Sequence, residues 1–125
     1  MVEQILIKFF REIDLSDPFF KSLKEDYPGF SEWFERKSSE DKVAFVQYNQ
    51  AGQLQAFLFL KIENGELDDI EPIRPTAKRL KVGTFKIDAH NTKLGERFIK
   101  KITDIAIDEN VDEIYVTIFN KHAGL

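Results

Sequence analysis

The chain has 125 residues, two histidines, no cysteine and a formal net charge of -4. The lack of cysteine excludes disulfides and thiolate chemistry, two histidines argue against a histidine-rich metal site, and the acidic balance argues against a surface drawn as a whole to nucleic acid. The length predicts a single domain over residues 1–125, and because neither a long apolar run nor a signal-peptide pattern is present, we expect a cytoplasmic protein.

The first third of the sequence predicts one strand and two short helices. Ile5, Ile7 and Phe9 alternate along one face of a first strand within Gln4–Ile13. Polar capping residues, a proline at a first helical position and a proline-glycine break then bound two stretches with helical spacing. These two helices are predicted over Pro18–Asp26 and Phe30–Lys37.

A hairpin and a long loop are predicted next. Two segments rich in β-branched and aromatic residues, Val43–Tyr48 and Leu54–Ile62, are separated by a glycine-containing turn, which indicates a β-hairpin. The acidic, proline-bearing stretch Glu63–Pro75 is predicted to be a loop, and its length indicates a functional one.

The following strand contains a change of phase. It is predicted over Arg79–Ile87. Leu80 and Val82 share one face by alternation, whereas Phe85 and Ile87 fall on the other, and Gly83 lies between the two pairs. A slip of one residue at a glycine is typical of a β-bulge. A strand buried on both faces would give the same pattern.

The chain then predicts a long helix, Thr92–Glu109, and a last strand, Glu113–Phe119. One stripe of the helix is apolar and is expected to be buried: Leu94, Phe98, Ile102, Ile105 and Ala106. The last strand is apolar on both faces, which favours a central position in the sheet. A further helix is expected to begin at Asn120.

This β-α-α-β-β-β-α-β order, the loop "HNTKLG" and the tail "NKHAGL" together resemble the Gcn5-related N-acetyltransferase superfamily. The resemblance implies an α/β (α+β) fold with a mixed, mostly antiparallel sheet flanked by helices. In that family acyl-CoA lies where a bulged fourth strand splays from the fifth. Its diphosphate is bound by a loop of pattern Arg/Gln-x-x-Gly-x-Gly/Ala. Here Gly95 matches the last position, while His90 and Lys93 replace the Arg/Gln and the middle glycine.

The resemblance also implies a set of site residues. Glu71 and Asp88 are the candidate catalytic bases, although each is also an ordinary surface acid. The cofactor is acetyl-CoA or another acyl-CoA. The implied cofactor-binding residues are Phe85, Ile87, His90, Lys93, Leu94, Gly95, Glu96 and Asn120.

The final strand pair of the family, which often carries a tyrosine that protonates the departing thiolate, has no counterpart in the sequence. We therefore expect a domain truncated after the fifth strand, or a second copy or partner that completes the layer. Two functions remain open: an N-acyltransferase acting on acyl-CoA and an amine, or a non-catalytic module that binds acyl-CoA, a protein or nucleic acid. If nucleic acid binds, we expect it to contact a basic cluster formed by Lys78, Arg79, Lys81 and Lys86. The charge of the whole chain does not favour such binding, and no membrane partner is expected.

Overall fold

The computed structural model describes residues 5–67, 74–87 and 92–116, with the backbone alone at 64–67, 74–77 and 92. Five strands and three α-helices lie in these ranges. The strands are β1 (Leu6–Phe9), β2 (Val43–Tyr48), β3 (Leu54–Leu67), β4 (Arg74–Ile87) and β5 (Glu113–Val116). The helices are α1 (Lys21–Asp26), α2 (Phe30–Ser39) and α3 (Thr92–Asp108), and two 3-10 turns, Phe10–Glu12 and Pro18–Phe20, precede α1.

The strands form one mixed sheet in the order β1-β2-β3-β4-β5. All neighbours are antiparallel except β4 and β5, which are parallel. A parallel pair needs a crossover connection, and here α3 supplies it. The predicted α+β fold with a mostly antiparallel sheet is therefore confirmed.

Each face of the sheet has its own core. The face toward α1 and α2, called the α1/α2 face, is filled by aromatic rings, among them the fully buried Phe10, Phe20 and Phe57. Trp33 packs against this cluster and Phe34 belongs to it. The face toward α3, called the α3 face, buries aliphatic residues of β3 and β4 under the predicted stripe of α3. Most of the phenylalanines thus serve packing, as aromatic rings supply large buried area.

The first strand is shorter than predicted. It ends at Phe9, and the chain turns so that Phe10 enters the core. The turn is fixed by two hydrogen bonds: the Phe10 amide donates to the Lys42 carbonyl at 2.9 Å, and the Phe9 amide donates to the Glu12 carboxylate at 3.0 Å. Burial of one large ring therefore overrides the alternation that extended the prediction to Ile13.

The prediction of a loop over Glu63–Pro75 is wrong for the residues of this stretch that the structure describes. β3 continues to Leu67 and β4 begins at Arg74, and the two pair antiparallel through a polar stretch. Residues 68–73 lie outside the described ranges. Hydrogen bonds between the backbones of β3 and β4 stabilise these strand ends, although their side chains show no apolar alternation. A prediction from the side-chain pattern therefore does not include them.

The last strand is not central among the described strands. β5 contacts β4 on one side and is the last strand of the described sheet. Its Ile114 and Val116 are 46% and 52% exposed. Apolar residues on both faces of a strand therefore did not indicate burial here. No helix in the described ranges is both long enough and apolar enough to span a membrane.

Candidate functional site

The predicted bulge lies in β4 at Gly83. Along the β3–β4 pair, Leu60 is opposite Val82 and Phe59 is opposite Thr84, so Gly83 is the extra residue. The one-residue phase slip read from the sequence is thus confirmed as a β-bulge. Bulges of this kind bend a strand and increase its twist.

The bulge places residues of opposite parity on one face. Leu80 and Val82, before Gly83, are buried under α3. Ile87 packs in the same cluster, and the Phe85 ring lies 6.0 Å from the ring of Phe98 on α3. The alternative of a strand buried on both faces is therefore not needed to explain the pattern.

Gly83 is required at the bulge because the ring of Phe59 occupies the space of its side chain. A Cβ atom at residue 83 would lie 2.8 Å from Cδ2 of Phe59. That ring is held in place by edge contacts with Phe10 and Trp33, at centroid distances of 5.4 and 5.7 Å. It has little room to move, since protein interiors are closely packed.

We expect Gly83→Ala to lower the free energy of unfolding by about 1–2 kcal/mol, because the overpacked ring must shift. Gly95→Ala is the matched control: its Cβ would meet Cδ1 of Ile87 at an ordinary 3.5 Å. Chemical denaturation would measure both. Combining Gly83→Ala with Phe59→Leu should cost less than the sum of the single changes. Full additivity, or an unchanged stability in Gly83→Ala, would contradict this account.

The bulge lies directly beyond the described contact between β4 and β5. The two strands pair from Arg79 opposite Glu113 to Val82 opposite Val116. Residue 117 and those after it lie outside the described ranges. The divergence of the two strands beyond Gly83 therefore stays a prediction.

The first turn of α3 lies against the end of β4 that follows the bulge. Leu94 is 2% exposed and anchors this turn in the core, while Lys93 and Glu96 are exposed. Gly95 lies next to Ile87, since a Cβ atom at residue 95 would be 3.5 Å from Cδ1 of Ile87. The first amides of a helix in general lack internal acceptors and favour an anion. Phosphate binding at this turn stays a prediction. The described part of the predicted cofactor set therefore lies at two adjoining places, the end of β4 and the first turn of α3.

Four predicted site residues lie outside the described residues. They are Glu71, Asp88, His90 and Asn120. Their roles stay predictions.

A polar network that the sequence patterns did not predict lies on the α1/α2 face next to the bulge. On β4, Lys81 lies between Lys61 of β3 and Tyr115 of β5. Arg79 lies in the same way between Glu63 of β3 and Glu113 of β5. The Tyr115 hydroxyl donates to the Glu63 carboxylate across β4, and Lys61 lies 3.4 Å from the same carboxylate. The hydrogen bond from Tyr115 is the main cause that lowers the pKa of Glu63 below its usual value.

The sequence does contain a pattern that indicates this position of Glu63, within the stretch predicted to be a loop. Phe57, Phe59, Lys61 and Glu63 alternate along one strand, so extending the strand past Ile62 would have placed Glu63 on the α1/α2 face. Its carboxylate stays ionised at neutral pH and can accept hydrogen bonds from a ligand on that face.

The predicted basic cluster does not form an open basic surface. Arg79 is 2% exposed and pairs with Glu113, and Lys86 donates to the Phe19 carbonyl and, at 2.8 Å, to the Ser22 hydroxyl. Two of its four cations are thus engaged within the fold. Nucleic-acid binding draws on exposed cations, so this cluster gives it little support.

No protein-family model matches the sequence, and no curated protein matches it significantly. Solved structures do match. A predicted acetyltransferase with acetyl-CoA from Clostridium acetobutylicum superposes with a TM-score of 0.64 at 11% identity, over 99% of this chain and 90% of that one. A tetramutant of the BH1408 protein from Bacillus halodurans superposes with a TM-score of 0.65 at 12% identity, over 98% of this chain and 87% of that one.

Glucosamine-6-phosphate N-acetyltransferase from Arabidopsis thaliana gives a TM-score of 0.59 at 17% identity, over 94% of this chain and 84% of that one. The protein therefore has the fold of the Gcn5-related N-acetyltransferases. At these identities the likeness establishes the fold and not an activity.

Proposed function

We propose that the protein is an acyl-CoA-dependent N-acyltransferase, which transfers an acetyl or other acyl group to an amine. The observation that carries the proposal is the bulge at Gly83, directly beyond the last described β4–β5 pair, with the first turn of α3 packed against the same end of β4. A bulge re-aims backbone groups, and a helix N-terminus favours phosphate.

Each part of the ligand has a proposed place. The backbone of Phe85 and Ile87 would pair with the pantetheine chain, and the diphosphate would lie at the start of α3, next to residues 93–96. The exposed ammonium group of Lys93 adds a positive charge where the turn departs from the family's glycine pattern. His90 and Asn120 are proposed as further contacts to the cofactor.

The chemistry of the transfer requires few protein groups. The neutral amine attacks the thioester carbonyl, the C–N bond forms, the C–S bond breaks and the thiolate leaves with a proton from solvent or an acid. Backbone amides near the bulge would stabilise the oxyanion, and Glu71 or Asp88 would accept the proton of the amine. The acceptor amine would approach on the α1/α2 face, where the carboxylate of Glu63 lies.

Lys93→Glu tests the diphosphate site. We expect it to weaken acetyl-CoA binding at least tenfold, because a carboxylate repels phosphate at the start of α3. The same change should leave stability equal or slightly raised, since an acid at a helix N-terminus is favourable by about 0.3–1 kcal/mol. Weaker binding without a loss of stability would show that the variant has lost the binding site and not the fold. Calorimetric titration and melting with and without acetyl-CoA would measure the two effects.

Lys24→Glu, which changes an exposed lysine on α1, is the control and should bind as the unchanged protein does. Release of free CoA with a panel of amines then tests turnover. Acetyl-CoA that binds but is not consumed with any amine would favour the non-catalytic module. An unchanged melting temperature at millimolar acetyl-CoA would overturn the proposed site.

A further inference from the structure

An exposed apolar stripe runs along α3 on the side toward β5. Ile99, Thr103 and Ile107 are four residues apart and so lie one above another on the helix. Ile99 is 58% exposed and Ile107 is 67% exposed. This stripe is separate from the buried stripe that begins at Leu94.

The stripe continues onto the sheet. Ile114 and Val116 of β5 are opposite Leu80 and Val82 of β4, which are buried on the α3 face, so the β5 pair lies on that face as well. An open groove between α3 and β5 is lined by Thr103, Ile107 and Ile114, among others. Clustered exposed apolar groups of this kind mark an interaction surface rather than scattered surface residues.

The charges along α3 run against the helix dipole. Residues 92–101 carry four cations and one acid, and residues 102–109, which include the residue after the helix, carry three acids. The cations are Lys93, Arg97, Lys100 and Lys101, and the acids are Glu96 in the first segment and Asp104, Asp108 and Glu109 in the second. A helix by itself favours acids at its N-terminus and bases at its C-terminus. Lys100 and Asp104 lie 2.9 Å apart and pair within the helix. The overall distribution is nevertheless unfavourable for a single helix and complementary to an antiparallel copy of the same helix.

We propose that a second copy of this chain docks on the stripe, with its α3 antiparallel to α3 of the first copy about a two-fold axis near Thr103. The axis brings Ile99 of each copy onto Ile107 of the other. It also places Lys100 of each copy beside Asp104 and Asp108 of the other, on the rim of the contact. A two-fold interface uses the same patch on both copies, so the patch must be complementary to itself. This patch is, because its apolar stripe is symmetric about Thr103 and its cations and acids lie at opposite ends. This inference does not depend on the proposed acyl transfer.

A charge exchange on the full chain tests the proposal. In Lys100→Glu the changed residue would face Asp104 and Asp108 of a like copy, and in the double variant Asp104→Lys/Asp108→Lys the changed residues would face Lys100. Each variant alone should dimerise at least tenfold more weakly than the unchanged protein. An equal mixture of the two should recover the dimer, because opposite charges then meet across the axis. Sedimentation equilibrium at low salt would measure all four samples.

Melting curves of each variant check the fold. Both variants break the exposed pair of Lys100 and Asp104 within α3, a loss that should cost only about 0.5 kcal/mol and leave the fold intact. Lys24→Glu, on α1, should dimerise as the unchanged protein does. Three results would overturn the proposal. The first is an unchanged protein that is monomeric at about 100 μM, a concentration at which even a weak dimer forms. The others are single variants that dimerise as the unchanged protein does, and a mixture of the two variants that stays monomeric.

Discussion

Phe10→Ala is expected to lower the free energy of unfolding by about 3–5 kcal/mol. Phe10 is fully buried and lies at the centre of the aromatic cluster on the α1/α2 face. Its ring centroid is 4.9 Å from that of Phe34, 5.6 Å from Phe57 and 5.4 Å from Phe59. Truncation removes the transfer energy of the ring and leaves a cavity between α2 and β3, which rigid neighbours cannot fill. Urea denaturation followed by fluorescence of Trp33 would measure the loss.

The neighbouring Phe9 gives a matched control. It is 36% exposed, and its main described contact is the guanidinium group of Arg11, 4.1 Å above the ring. Phe9→Ala should therefore cost about 1 kcal/mol or less. If Phe10→Ala does not fold, Phe10→Leu should fold with a smaller loss. Equal costs at residues 9 and 10 would show that the aromatic cluster is not the centre of this core.

Glu113→Ala is expected to lower the free energy of unfolding by about 3 kcal/mol, and to weaken the attachment of β5 to β4. Arg79 is 2% exposed and its guanidinium group pairs with the Glu113 carboxylate on the neighbouring strand. Removing one member of a buried pair leaves a charge without that counter-ion, which costs about 3–5 kcal/mol. The lower end of that range applies because the Glu113 side chain is 32% exposed. Denaturation, with amide exchange of residues 113–116, would measure both effects.

The exposed pair of Lys37 and Glu40, 3.3 Å apart, is the control for this experiment. Glu40→Ala should change stability by about 0.5 kcal/mol or less, as is usual for surface ion pairs. The double variant Arg79→Met/Glu113→Leu should regain most of the stability lost in Glu113→Ala, because apolar side chains need no counter-ion. A double variant that is as unstable as the sum of both single changes would refute the buried-pair account.

This pair also bears on the proposed function. It fixes the parallel register of β4 and β5 four residues before the bulge at Gly83. Acetyl-CoA binding in the proposed place would depend on that register, because the register would set where the two strands diverge. A variant that loosens β5 should therefore lose ligand affinity as well as stability.

Parts of the candidate site could be read from the sequence because they depend on near neighbours along the chain. The phase slip between Val82 and Phe85 located the bulge, and the spacing of apolar residues located α3. Alternation along β3 could have placed Glu63 on its face of the sheet, but its contact with Tyr115 could not be found in this way. Their contact joins β3 to β5 across β4, and no local pattern encodes which side chains meet across three strands.

The order of the described strands and helices, the buried stripe of α3 and the one-residue irregularity at Gly83 could be predicted, since each follows from the period of apolar residues along a single element. Three features could not be predicted before the fold was known: how far β3 and β4 extend, which strand lies last in the described sheet, and that Arg79 is a buried ion-pair partner rather than a surface cation. Each of them depends on backbone pairing, burial or counter-ions that segments distant along the chain supply. Their effect on a residue exceeds that of its own propensity and of its immediate neighbours.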